Sequence, residues 1–175
     1  MDNLTTVASQ VTDPYAEVAL IQALRGIYDR YRCQMLVAAG LVISATTANV
    51  KTGAAICYGL VKGHHVTIAA GVDMPVLVGS VTNAKFNVYC FFANKAGASL
   101  TAADMTVKMG AEASTLSGVR FPSFPEGKTL IGYVIINPTG TGNFVGGTTP
   151  LGDATVIPNA VYISPIGPFD PSATY

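Results

Sequence analysis

The sequence has no tryptophan, and only 11% of its 175 residues are charged, against roughly 25% in an average soluble domain. Ten Lys and Arg balance ten Asp and Glu. No long-range field is therefore available to draw in nucleic acid, an anionic membrane or an acidic substrate. A chain with so few charges and no net charge tends to self-associate, so much of the surface is expected to lie against other subunits. Cysteine is scarce too. Cys33, Cys57 and Cys90 are an odd number, far apart, with no CxxC pair; this excludes a disulfide framework and fits buried thiols of a protein made in a reducing cytoplasm. Long hydrophobic runs are missing despite a positive mean hydropathy. Cys33 to Val50 carries no charge, but Gln34, Gly40, Ser44, Thr46, Thr47 and Asn49 interrupt it, and its dense part, MLVAAGLVI, is about half of a span. The stretch MDNLTTVASQVTD has neither a basic n-region nor an apolar h-region, so no signal peptide is expected.

What is present falls into two regimes. Asp13-Pro14 is a helix-start signal. Leu20, Leu24, Ile27, Tyr28 and Tyr31 then recur at helical spacing and form one apolar stripe, with Arg25, Asp29 and Arg32 on the other face, spaced to pair. The pattern predicts an amphipathic helix from Pro14 to about Arg32, preceded by an arm over residues 1–12. From about Met35 the helical period gives way to short runs rich in Val, Ile, Tyr and Phe, separated by Gly, Asn, Pro and Thr. Strands are expected at 41–45, 55–61, 65–70, 75–79, 85–93, 105–111, 129–137 and 160–164. Turns are expected at KGH and NKAG, and one helical turn at LTAAD (100–104). This reads as a mainly β chain: an antiparallel β-sandwich or barrel-like domain (35–169) after an arm and helix (1–34), with a short tail (170–175).

Two of these strands are apolar on both faces. In KFNVYCFF, Phe86, Val88, Cys90 and Phe92 alternate with Tyr89 and Phe91. In TLIGYVII, Leu130, Val134 and Ile136 alternate with Ile131, Tyr133 and Ile135. Such strands need cover on both sides: a second sheet on one, the N-terminal helix or a neighbouring subunit on the other.

The constellations that carry chemistry are weak. NPTGTGNFVGGTTP, Asn137 to Pro150, follows a strand and is rich in glycine, as phosphate loops are. But no Lys or Arg occurs from Gly140 to Asp153, a G-x-G-x-x-G reading would need glycine where Val145 stands, and no helix follows. The loop reads as tight turns with threonine hydroxyls capping its backbone. His64 and His65 would point to opposite faces of a strand and cannot chelate one ion together. No G-x-S-x-G is present, and the cysteines sit inside apolar strands, where thiols are inert. The carboxylates Asp73, Asp104, Glu112, Glu126 and Asp153 are scattered in expected loops. No catalytic residue, cofactor site or metal site is assigned. The Pro-rich stretches RFPSFPEGK (120–128) and VIPNAVYISPIGPFDPSATY (156–175) force extended backbone and would suit arms lying along a neighbouring subunit.

From Gly118 onward the sequence resembles a group of virion structural proteins of tailed bacteriophages and prophages. The likeness rests on Phe121 to Pro125, Ile131 to Gly142, Gly146 to Thr149, Asp153 to Val156 and Pro158 to Tyr162; with KFNVYCFFANKAG it covers roughly residues 85–171. The helix lies outside it. The resemblance implies a non-enzymatic virion protein. The reading it supports first is a capsid decoration (cement) protein, a homo-oligomer and most simply a homotrimer, that binds the phage major capsid protein at the capsid surface after synthesis in the bacterial cytoplasm. A tail, neck or head-fibre component is the alternative within the virion. A host-surface glycan-binding module, using Tyr58, Tyr89 and Tyr162, is the alternative outside it. In each virion reading the stripe Leu20, Leu24, Ile27, Tyr28 and Tyr31 is the expected interface.

Overall fold

A computed structural model of the chain describes residues 14–44 and 48–169. The expected arm (1–12), Asp13 and the tail (170–175) lie outside the described residues. Among the described residues, helix α1 (Pro14–Arg32) precedes eleven strands: β1 (Gln34–Met35), β2 (Val42–Ile43), β3 (Val50–Lys51), β4 (Cys57–Val61), β5 (His64–Ile68), β6 (Ser80–Val81), β7 (Asn87–Ala93), β8 (Met105–Met109), β9 (Thr129–Ile136), β10 (Phe144–Val145) and β11 (Val161–Ile163). The architecture is mainly β and antiparallel, a sandwich-like body behind helix α1. One layer is the four-stranded sheet β11-β9-β7-β8. Facing it are the three-stranded sheet β1-β4-β5 and the short pairs β2-β3 and β10-β6.

The turns follow local chemistry. Between β4 and β5, Lys62 and Gly63 both adopt positive φ (54° and 80°), the two-residue hairpin geometry that matches strand twist. The sequence after Ala93 does not make a tight hairpin. Instead it crosses to the smaller sheet, where Gly97 bridges Val66 and its carbonyl accepts from Thr67 N–H (2.9 Å). It then returns through a 3-10 turn at Ala102–Asp104. Residues 75–79, expected as a strand, are irregular; pairing starts one residue later, at β6.

The main core lies between the layers. Tyr89 and Phe91 of β7 and Ile131, Val134 and Ile136 of β9 meet Cys57, Val61, Val66 and Ile68 from the hairpin, with Phe144 of β10 and Leu77 and Leu151 from the loops. The other face of β7 and β9 carries Val88, Cys90, Phe92, Leu130 and Tyr133. Strict alternation places Leu130 with Val134 and Ile136. The structure moves it to the outer face and Ile131 inward, because the β7–β9 register slips between Phe91 and Phe92: Phe91 pairs with Gly132 and Phe92 with Leu130. This β-bulge inserts one residue and exchanges the faces beyond it.

The side chains packed directly on that outer face come from the chain's own loops rather than from the apolar stripe of the helix. Phe121 and Phe124, from the Pro-rich crossing, and Phe169 lie on it. Phe121 meets the Tyr133 ring edge-on at 5.0 Å, Phe124 meets Phe92 at 5.1 Å, and Phe169 stacks on Phe124 at 5.8 Å. The described part of the second Pro-rich stretch also stays on its own chain. β11 pairs with β9, and Gly167 N–H donates to the Met35 carbonyl (2.8 Å). Each proline-spaced phenylalanine up to Phe169 finds an apolar seat within the same molecule.

Candidate assembly interface

Helix α1 joins the body through polar groups. The Asp29 carboxylate accepts from Gly127 N–H (3.0 Å) and from the Cys33 thiol (3.6 Å). Lys62 N–H donates to Cys33 Sγ (3.3 Å), the Arg32 guanidinium donates to the Lys62 carbonyl, and Gly63 N–H donates to the Arg32 carbonyl (2.8 Å). The helix end is thus fastened to the tip of the β4–β5 hairpin and to the turn before β9. The expected pairing of Arg25, Asp29 and Arg32 with one another gives way to this, since both Asp29 oxygens and the Arg32 head are engaged elsewhere. Arg32 also sits over the Tyr28 ring, 5.3 Å from its centroid. Partial burial, with the nearby Asp29 charge as a lesser cause, pushes the Cys33 thiol above its ordinary pKa, so Cys33 is not primed as a nucleophile.

Between helix and body runs a cleft of about 430 Å³. The helix lines it with Gln22, Arg25, Gly26, Asp29 and Arg30, joined by Cys33 just after it, and the body with residues that include Phe124, Lys128, Leu130 and Phe169. At 100° per residue the helical lining lies opposite the stripe Leu20, Leu24, Ile27, Tyr28 and Tyr31. The structure accordingly turns the apolar side of α1 away from the body. Leu20 and Leu24 are partly covered, whereas Ile27, Tyr28 and Tyr31 keep 51%, 54% and 61% of their surface exposed. Tyr15 and Val18 add further exposed apolar surface near the start of the helix. A stripe of this size facing water costs free energy that a partner would recover, at about 25 cal/mol per Å².

The groups that could carry chemistry are placed apart. Asp104 pairs with Lys95 (2.6 Å) and accepts from Thr101 N–H (3.0 Å); these bonds, the one to Lys95 first, hold its carboxyl down at about 2. Asp153 binds its own turn through Thr155, Asp73 accepts from Ser44, and Glu112 accepts from Thr82 N–H. Glu126 lines the cleft. Among the described residues no group of three or more His, Cys, Asp or Glu is gathered closely enough to hold a metal ion. His65 packs against Tyr58, ring centroids 5.6 Å apart, and His64 pairs with Val61 across the hairpin. Cys57 and Cys90 are buried free thiols, and burial raises both pKa values.

The Gly-rich loop is a piece of architecture. Thr141 N–H donates to the Thr155 carbonyl (3.0 Å) and Asn83 donates to the Gly140 carbonyl (3.2 Å). A Cβ on Gly140 would overlap the Thr155 carbonyl oxygen, so glycine is required there for close backbone approach. Thr149 Oγ1 accepts from Val145 N–H (2.9 Å), capping the turn as the threonine content suggested. Of the three tyrosines suggested for glycan contact, Tyr89 is fully buried, Tyr162 has its hydroxyl buried, and Tyr58 alone is exposed. Burial raises Tyr89 and Tyr162 to about 12.

No helix among the described residues is long and apolar enough to cross a membrane. No family model, curated protein or solved structure matches this chain.

Proposed function

We propose that the chain is a non-enzymatic structural protein of a tailed-bacteriophage virion, a capsid decoration protein that binds the major capsid protein on the mature head. The observation that carries this reading is the run of motifs from Phe121 to Tyr162, which resembles that group of virion proteins. The structure adds a surface of the right kind: an apolar helix stripe that the chain's own body does not use, beside a body with few charges. The action would be linkage. A protein that binds the expanded shell and not its precursor stabilises the expanded state by its binding free energy, and many copies acting on one lattice add avidity.

The test is direct. Purified protein is mixed with expanded shells lacking it and sedimented, and the copy number per virion is read by gel densitometry. Saturable binding to expanded shells and hundreds of copies per particle support decoration. A few dozen copies or fewer would move the protein to the tail, neck or a head fibre. Absence from purified virions, with no binding to shells, would end the virion reading.

A further inference from the structure

Helix α1 carries a glycine in its interior, and that glycine faces the cleft. Gly26 lies within Pro14–Arg32 and lines the cleft wall, although glycine is the poorest helix former after proline. Backbone geometry does not call for it, since Gly26 is not among the residues with positive φ. Packing does not call for it either: a Cβ there would meet nothing within 4 Å. Glycines of the body differ. A Cβ on Gly132 would lie 2.6 Å from the Leu41 side chain, and one on Gly146 would lie 2.6 Å from the Leu77 carbonyl oxygen. A helix-interior glycine with open space over it suits the close approach of a backbone from outside the chain.

The walls match a peptide of particular chemistry. From Gln22 to Arg30 the helical wall runs about 12 Å along its axis, the reach of about four residues of extended chain. The cleft of about 430 Å³ falls within the size range of ligand sites. Across it the body presents Leu130 and the rings of Phe124 and Phe169, stacked at 5.8 Å, a seat for an apolar side chain. Arg25, Arg30 and Lys128 line the cleft against two acids, Asp29 and Glu126. Asp29 already accepts from Gly127 N–H and the Cys33 thiol. Neither Arg25 nor Lys128 has a side-chain hydrogen bond or ion pair among the described residues, and Lys128 is half-buried. A half-buried ammonium without a partner favours an arriving carboxylate, and the Gln22 carboxamide supplies a donor and an acceptor for a peptide group.

We propose that the cleft between α1 and the body binds an extended acidic peptide segment of another protein: its backbone passes over Gly26, a carboxylate meets Arg25 and Lys128, and an apolar side chain rests on Phe124 and Phe169. The site lies on the opposite side of α1 from the apolar stripe and stands without the virion reading.

The experiment selects the occupant with the full chain. A displayed library of random peptides is panned on immobilised protein after binders to Gly26→Leu have been removed. Peptides with Asp or Glu close to an aliphatic or aromatic residue are expected to be enriched. One of them, labelled with fluorescein, is then titrated by anisotropy. Lys128→Glu and Gly26→Leu are each expected to weaken its binding at least about tenfold, while Ile27→Ser, on the stripe, leaves it unchanged. Gly26→Ala reports on the free chain and is expected to raise the melting temperature by about 2–4 °C, because the glycine serves the occupant and not the fold. No enrichment, enrichment of basic or uncharged peptides, binding that Lys128→Glu leaves intact, or a Gly26→Ala chain that melts lower would each overturn the proposal. Shell binding is measured separately. A chain that takes acidic peptides but ignores shells defeats the virion reading alone, and one that binds shells but selects no acidic peptide defeats the cleft alone.

Discussion

In β7 every residue from Asn87 to Ala93 is buried; in α1 the apolar stripe faces water from Ile27 to Tyr31. Both elements bring large apolar side chains to one chain, yet only one of them is satisfied within it. The difference lies in what arrives from elsewhere in the sequence. β7 receives the β4–β5 hairpin on its inner face and Phe124, with its neighbours Phe121 and Phe169, on its outer face. Helix α1 receives polar groups: Gly127 N–H on Asp29, and the Lys62 backbone on Cys33 and Arg32. These fix its orientation with the polar side inward. Apolar content therefore does not decide what is buried; the direction in which polar anchors hold an element does.

The contrast can be broken most severely in β7. Phe91→Ala and Phe92→Ala each open a void on one face of a fully buried strand and should each cost about 3–5 kcal/mol of unfolding free energy in a denaturant titration. Equal costs would mean that the outer aromatic face is as much a core as the inner one. Gly140→Ala drives a methyl group into the Thr155 carbonyl and should cost about 1–3 kcal/mol, with the urea midpoint lowered and its slope unchanged. Phe169→Ala removes one ring of the outer cluster, partly exposed already, and should cost about 1–2 kcal/mol by thermal melting. Ile27→Ser, measured at a dilution where the chain is single, should change stability by less than about 0.5 kcal/mol; a larger loss would mean that the stripe packs on its own body. The smallest effect belongs to the exposed clip at Asp104. Its carboxyl titrates near 2 in the folded chain against 3.8 ordinarily, so its contribution is full above about pH 4 and is lost as pH falls towards 2. Amide exchange in residues 94–104 should quicken over that window while β7 stays protected.

The helix was legible almost to the residue, because Pro14 and a five-member stripe carry their own period. So were β4, β5, β7 and β9, each a run of β-branched and aromatic residues between turn formers. Two-residue strands such as β1, β3, β6 and β10 were not, since each is defined by its partner and not by its own sequence. The exchange of Leu130 and Ile131 between faces was hidden for the same reason: a bulge belongs to a register, and register is set by two strands together. The cover of the outer sheet face escaped notice because Phe121, Phe124 and Phe169 stand in proline-spaced segments without any period. For the candidate site, the stripe was visible but its direction was not, because that depends on the Asp29–Gly127 bond between residues far apart in sequence.

A rod of nineteen residues is about 28 Å long, and α1 is fastened at Asp29, Arg32 and Cys33, beside one end of it. At that length a ten-degree difference in the angle at which the Asp29–Gly127 and Arg32–Lys62 bonds set the helix would displace its first turn by about 5 Å, so those two bonds decide where the stripe is presented.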